Sequence, residues 1–137
     1  MGLVGGETNI AHFGQWSPIM ANDLFKLGFM FRKAHMIKPP KIKEHLQRHY
    51  WRGVIDGDGH ISKIGDGIRL YGSYWMCEGF RNFMIKWFGY YHKINRTHKE
   101  SKIFQVSTSG IEANKVISFL YSNSTIFLDR KMVLCKK

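Results

Sequence analysis

The chain of 137 residues is poor in cysteine, proline and acidic residues, and it contains no long apolar run. Its two cysteines, Cys77 and Cys135, lie far apart and form no CxxC pair, which argues against a disulfide framework or a zinc site. No apolar stretch approaches the roughly 18–20 residues that a membrane-spanning helix needs. Residues 1–14 lack the basic start and apolar block of a signal peptide. We therefore expect a cytoplasmic protein that is not secreted and has no membrane partner.

Acidic residues are scarce relative to basic ones. The 10 Asp and Glu residues stand against 21 Lys and Arg, which gives a formal net charge of +11 and a pI near 9.8. A domain this basic suggests a polyanionic partner such as nucleic acid. The alternative is a solvated basic surface with no partner. The basic residues are spread along the chain and do not mark one amphipathic helix, which disfavours a membrane surface.

The spacing of apolar residues predicts an α+β fold. Ser17 and Pro18 are typical of a helix start, Gly28 is typical of a helix end, and Pro39 and Pro40 close a basic connector. The predicted order then gives a hairpin-rich antiparallel sheet of four strands backed by helices. The predicted elements after the connector are a helix over 43–55, strands over 60–64 and 68–74, a helix over 76–88, strands over 90–96 and 102–107, and helices over 111–121 and 125–133.

The most informative segment is 51–59, with the sequence WRGVIDGDG. Gly53 and Gly57 are four residues apart, so a helix presents both on one face, where another helix backbone can approach closely. The helix then ends at carboxylates. Two such acids from paired helices would form an oxygen site suited to Mg²⁺. Bound Mg²⁺ can stabilise both the attacking and the leaving oxygen in phosphodiester hydrolysis. The simpler alternative is an ordinary Asp-Gly turn.

This segment resembles the motif that names the LAGLIDADG homing endonucleases. Segment 68–88 is similar to the second strand and following helix of that family, and 107–131 is similar to its closing helices. The resemblance implies that residues 41–137 form one repeat. Residues 1–40 are then an N-terminal extension, in which 17–35 resembles the tail of a preceding repeat. The motif residues that match best are Gly53, Ile55, Asp56, Asp58 and Gly59.

One pair of residues departs from the family pattern. Trp51 and Arg52 stand where the family usually has small or aliphatic residues. Their bulk either faces the core of this chain or weakens the pairing of the motif helices.

The resemblance implies a site-specific double-strand DNA endonuclease that depends on Mg²⁺, in a compartment that holds DNA. Asp58 would be the catalytic acid that binds the metal, the Gly57 carbonyl would help, and Lys131 would polarise water or steady the phosphate. Gly53, Val54 and Gly57 would form the interface between paired helices. Because one chain supplies one acid and the family's site needs two, the enzyme would act as a homodimer or with a partner repeat.

The resemblance also implies that the four strands form a saddle over the DNA major groove. Successive side chains of a strand point to opposite faces. The residues expected to point inward are Ile61, Leu70, Ile94, Phe104 and Val106, and their neighbours in the strands would then face DNA. Arg130, near the last helix, is a weaker candidate than Lys131 for the basic residue beside the active site, and it is also a candidate for contact with DNA. The predicted DNA-binding residues are His60, Ser62, Ile64, Arg69, Tyr71, Lys93, Asn95, Gln105, Ser107 and Arg130.

Two other functions fit the same sequence. One is a DNA- or RNA-binding protein of this fold that does not cleave, such as a maturase, a regulator or a degenerate remnant. The other is a basic domain that binds nucleic acid without specificity, which predicts a steep dependence of binding on salt.

Several residues are expected to be structural. His45 and His49 are four apart but lack a third metal ligand, so we expect surface or packing roles for both. Asp56 is expected to hydrogen-bond within the end of its helix. The aromatic residues expected to lie in the core, in preference to a platform that stacks bases, are Trp75, Phe80, Phe83 and Trp87.

Overall fold

The computed structural model describes residues 11–29 and 34–135, apart from the side chains of 133–135. This part of the chain has the predicted α+β composition. Its helices are α1 (Pro18–Lys26), α2 (Glu44–Asp58), α3 (Tyr74–Phe88), α4 (Gly110–Tyr121) and α5 (Asp129–Cys135), and a short 3-10 turn spans Ala34–Met36. The strands are β1 (Gly59–Ile61), β2 (Gly67–Gly72), β3 (Asn95–Arg96) and β4 (Phe104–Ser109). In the described ranges, no helix is long and apolar enough to cross a membrane.

The four strands form one antiparallel sheet, as the sequence predicts, and the structure gives their order as β1-β2-β4-β3. Three strands are shorter than expected, β2 by one residue and the two edge strands by more. The predicted strand over 60–64 ends at Ile61, because the Ser62 hydroxyl donates to Asp66 Oδ1 at 2.7 Å and accepts from Asp66 N at 3.0 Å. These bonds close the turn before β2, and Gly65 occupies it at a positive φ of 73°.

The predicted strand over 90–96 is also mostly wrong, since only Asn95 and Arg96 pair with β4. The Tyr90 ring stacks on Phe88 with centroids 5.5 Å apart. Nε2 of His92 lies 2.7 Å from Glu112 Oε2 on α4. Residues 90–94 therefore lie along helices α3 and α4, and the chain joins the sheet only at Asn95.

Helix α3 starts two residues before its predicted start, because Ser73 is its N-cap and accepts a hydrogen bond from Met76 N at 3.1 Å. It ends at Gly89, which has a positive φ of 73°. Phe80 and Phe83 are buried in the core as predicted. The prediction that Trp75 and Trp87 lie in the core is wrong, since 40% and 37% of these side chains are exposed.

The core lies between one face of the sheet and helices α2, α3 and α4. Trp51 is buried there, with its ring centroid 5.5 Å from that of Phe80. The bulk at this position therefore faces the chain's own core. Gly79 makes room for it, because an added Cβ would lie 2.7 Å from Pro39 Cγ and 3.0 Å from the Trp51 ring. The sheet contributes the buried side chains of Ile61, Ile68, Leu70 and Val106.

Helix α1 begins as predicted, with Pro18 as its first residue and the Ser17 hydroxyl accepting from Met20 N at 3.2 Å. None of its residues is buried. Its apolar stripe is therefore exposed to solvent in the single chain.

Helix α2 ends three residues later than predicted. It is tied to the end of the chain by three charged residues, Arg52, Asp56 and Lys131, here termed the polar brace. Lys131 Nζ donates to the carbonyls of Ile55, Asp56 and Gly59, the last two at 3.0 and 2.7 Å. These bonds satisfy carbonyls at the helix end, where intrahelical donors run out. The helix therefore continues through Asp58.

The other two members of the brace hold the segment between α4 and α5. Arg52, buried within the structure, donates to the carbonyls of Leu120 and Ile126, both at 2.9 Å. Asp56 accepts from the Tyr121 hydroxyl at 2.6 Å and from Leu128 N at 2.9 Å. Asp56 thus bonds across elements and not within its own helix end, which corrects the sequence prediction.

These contacts also explain where α5 begins. The sequence predicts a last helix over 125–133, but α5 starts at Asp129. The carbonyl of Ile126 and the amide of Leu128 are bound to α2. This segment therefore follows α2 before the helix can start.

We predict that Arg52→Ala lowers the free energy of unfolding by about 3 kcal/mol, because it leaves two backbone carbonyls without their charged donor. Urea denaturation measures the change. The control is Lys115→Ala, which removes an exposed cation from α4 and should change stability by less than about 0.5 kcal/mol. Equal stability of the two variants would contradict the structural role of Arg52.

Candidate nucleic-acid interface and metal site

One face of α2 is uncovered in the single chain. Gly53 and Gly57 are both exposed, and a Cβ added at either would meet no atom within 4 Å. Val54 lies beside them and is half-buried. The predicted interface residues thus share a region that a second backbone could approach closely.

This face ends at Asp58, the last residue of α2, whose side chain is exposed. Asp58 borders a groove of about 270 Å³, which Val54, Tyr71, Met76 and Ile103 also line. The next residue, Gly59, begins β1. A Cβ added at Gly59 would lie only 2.7 Å from the carbonyl oxygen of Ile55, so no side chain fits there. The glycine therefore allows the chain to turn sharply from helix to strand beside Asp58.

The residues at this end of α2 fit half of a magnesium site. Mg²⁺ binds oxygen ligands, keeps several waters, and is held in proteins by one or two carboxylates. Asp58 offers one exposed carboxylate, and Gly57 precedes it in the last turn of the helix. Across the described residues, no group of three or more His, Cys, Asp or Glu side chains could hold a metal.

Lys131 is close to Asp58 in the fold, but its ammonium group serves the carbonyls at the end of α2. Only 3% of the residue is exposed. Burial and the nearby Arg130 lower the pKa of Lys131, and the charges of Asp56 and Asp58 oppose this shift. A cation at the C-terminus of a helix is also favoured by the helix dipole. The observed contacts are structural, and the catalytic role of Lys131 remains a prediction.

The outer face of the sheet brings together six of the predicted DNA-binding residues. His60 pairs with Arg69, and Arg69 pairs with Ser107, so these side chains form a row across three strands. A second row runs through Tyr71, Gln105 and Asn95. The intervening residues Ile61, Leu70 and Val106 are buried on the opposite face, as predicted. Arg69 Nη1 also donates to the Tyr71 hydroxyl at 3.1 Å.

The remaining predicted DNA-binding residues lie outside the strands. Ser62 borders the same hollow of about 340 Å³ as His60, Arg69 and Ser107, and its hydroxyl is bound to Asp66. Ile64 lies in the turn and is 70% exposed. Lys93 precedes β3, and Arg130 lies on α5; both are exposed. Because Ser62, Ile64 and Lys93 lie outside the strands, the alternation of strand side chains does not predict which way they point.

The polar brace contains the residue that sequence reasoning missed. In the sequence, Arg52 stands out only as a departure from the family pattern, because its carbonyl partners lie far along the chain. Nη2 of Arg52 lies 2.9 Å from Nδ1 of His49, which agrees with a packing role for this histidine. A buried arginine requires hydrogen-bond partners, and that requirement was the only available signal.

The chain was compared with protein-family models, with curated proteins and with solved structures, and none of these comparisons found a match. The LAGLIDADG resemblance rests on the sequence segments that suggested it.

We predict that Lys131→Met lowers the free energy of unfolding by about 3 kcal/mol, since the three carbonyls at the end of α2 lose a charged donor. The neighbouring Arg130→Met is the matched control, because Arg130 is exposed and should cost less than about 0.5 kcal/mol. Thermal or urea unfolding gives both values. A Lys131 variant as stable as the Arg130 variant would refute the capping role.

Proposed function

We propose that this chain is one repeat of a site-specific DNA endonuclease that depends on Mg²⁺, active as a homodimer or with a partner repeat. The observation that carries the proposal is the exposed acid Asp58 at the end of an uncovered helix face that contains Gly53 and Gly57. The same acid directly precedes the sheet whose outer face carries aligned polar side chains. An excess of 11 positive charges suits a polyanionic substrate.

In this proposal, two copies of α2 pack through their Gly53–Gly57 faces, which brings two Asp58 carboxylates together. Asp58 and the Gly57 carbonyl of each copy would hold Mg²⁺. The bound ion supplies charge stabilisation for the attacking and leaving oxygens of the phosphodiester. The polar brace fixes the helix end, so that the carboxylates are held in place before substrate binds.

The outer face of the sheet would contact the DNA duplex. Arginine, asparagine and glutamine donate to or accept from base edges in the major groove, and serine and histidine can contact bases or phosphates. Arg69 is central, because its strand β2 lies between β1 and β4. Arg69 therefore has neighbours on both sides for a continuous contact with one groove.

We predict that Asp58→Asn abolishes cleavage with Mg²⁺ and leaves DNA binding largely intact, because the amide keeps the shape of the side chain and removes the charge that binds the metal. Selection from a random DNA library with Mg²⁺ first identifies the target. Cleavage and band-shift assays on that target then measure both properties, and EDTA should stop the wild type.

The control for this variant is Asp23→Asn, which neutralises an exposed acid on α1. It should cleave as the wild type does. Cleavage that persists in Asp58→Asn would refute the assignment of the metal-binding acid.

We predict opposite effects of Gly53→Ala on folding and on pairing. Alanine should stabilise α2 in the monomer by about 0.5–1 kcal/mol, since glycine is a poor helix former and no atom lies near the added Cβ. The same methyl group should weaken self-association, and Gly53→Leu should weaken it further. Unfolding of the dilute monomer and sedimentation of the concentrated protein measure the two effects.

The matched control is Asn114→Leu, which places the same side chain at an exposed position on α4. It should not change association. Self-association that is unchanged in Gly53→Leu would exclude this face as the interface.

A protein of the same fold that binds DNA or RNA without cleaving it is the second candidate. One observation favours it: the ammonium group of Lys131 is bound to backbone carbonyls and is buried. The library selection separates the candidates. Enriched sequences without cleavage would favour the binding protein, and cleaved sites would favour the endonuclease.

A further inference from the structure

Three aromatic rings lie in edge-to-face contact where α3 begins beside the end of β4. The Trp75 and Tyr74 centroids are 6.4 Å apart, and the Tyr74 and Phe104 centroids are 5.5 Å apart. Trp75 is 40% exposed and Tyr74 is 38% exposed. Two adjacent rings are thus partly exposed, and each combines a large apolar surface with a polar atom that can form a hydrogen bond.

A cation lies over the ring at each end of this series. Lys38 Nζ is 5.0 Å from the Trp75 centroid, and Arg96 Cζ is 5.5 Å from the Phe104 centroid. Both basic residues are exposed. We call the five residues Lys38, Trp75, Tyr74, Phe104 and Arg96 the aromatic strip.

The strip is held in place by the backbone around it. The buried Ser73 caps α3 through Met76 N, and its hydroxyl also donates to the Ile37 carbonyl. This bond ties the connector that carries Lys38 to the N-terminus of α3, which carries Tyr74 and Trp75. The strip is therefore preorganised, which reduces the entropic cost of binding a ligand.

The strip lies on a different surface from the proposed duplex-binding face. Arg96 pairs with Phe104 across β3 and β4, so both side chains point to the same side of the sheet. Phe104 alternates with Gln105, which belongs to the outer face. A ligand on the aromatic strip would not occupy the rows that contain Arg69 and Ser107.

We propose that the aromatic strip binds single-stranded nucleic acid, with unpaired bases stacked on Trp75 and Tyr74 and with phosphates beside Lys38 and Arg96. A single strand presents both unstacked bases and charged phosphates. The exposed rings can stack on the bases, and the flanking cations can bind the phosphates. Duplex bases are already stacked on one another and do not offer their faces to the rings. This site is additional to the proposed duplex cleavage.

The test measures fluorescence anisotropy of labelled oligodeoxythymidine and oligouridine with the full chain at fixed salt. Trp75→Ala and Tyr74→Ala should each weaken binding about 5- to 100-fold, which corresponds to the loss of one stacked base. Trp75→Phe should restore most of the affinity, since it keeps a ring. The oligomer that binds more tightly shows whether the strip prefers single-stranded DNA or RNA. Tighter binding of either one supports the proposed site.

The matched aromatic control is Tyr91→Ala. Tyr91 is 69% exposed and lies under Arg81 at 5.0 Å, but it is outside the strip. Its loss should not change affinity for single strands. The matched charge controls are Lys38→Ala, which should weaken binding, and Lys115→Ala, which should weaken it much less.

A duplex without the selected target separates this proposal from the preceding one. Arg69→Ala should weaken duplex binding and spare single strands, while Trp75→Ala should do the reverse. Wild-type affinity for single strands in folded Trp75→Ala and Tyr74→Ala, or an equal loss in Tyr91→Ala, would overturn the proposal. Unfolding curves confirm that each variant is folded.

Discussion

The hydrogen bonds from Lys131 to the last carbonyls of α2 constrain the rest of the structure. Buried cations are costly unless they are bound, and here the Lys131 ammonium has three carbonyl acceptors. The same helix binds the segment before α5 through Arg52 and Asp56. The polar brace thereby joins the middle of the chain to its C-terminal part, and it determines where α2 ends and β1 begins.

The position of that boundary matters for the proposed chemistry. If α2 ended at Ile55, as its apolar spacing suggests, Asp58 would lie in a turn with more conformational freedom. The brace keeps Asp58 in the last helical turn, next to Gly57 and directly before the sheet. The uncovered glycine face, the acid and the outer rows of the sheet therefore have a fixed mutual arrangement.

Local patterns in the sequence predicted the layers of the fold and the orientation of the central strands. Alternation correctly put Leu70 and Val106 inside and Arg69 and Ser107 outside, because β2 and β4 pair along their full lengths. The edge strands were predicted less well. Side-chain contacts such as Ser62 with Asp66 and His92 with Glu112 draw the chain out of the sheet, and apolar alternation contains no information about them.

Long-range polar contacts account for the other differences. The partners of Arg52 and Lys131 lie about 70 residues away along the chain, so helix periodicity could not indicate how α2 ends or where α5 starts. The exposure of Trp75 was missed for a related reason. Helical spacing predicts which residues share a face, but the exposure of that face depends on how α3 lies against the sheet.

We propose that Asp58 is half of a metal site formed by two copies. Cleavage of the selected target by mixtures of wild-type and Asp58→Asn chains, exchanged under conditions that favour dimers, tests it most directly. If both acids are needed, activity should follow the square of the wild-type fraction, so that an equal mixture keeps roughly a quarter of the activity. Activity that falls only in proportion to the wild-type fraction would contradict a shared site.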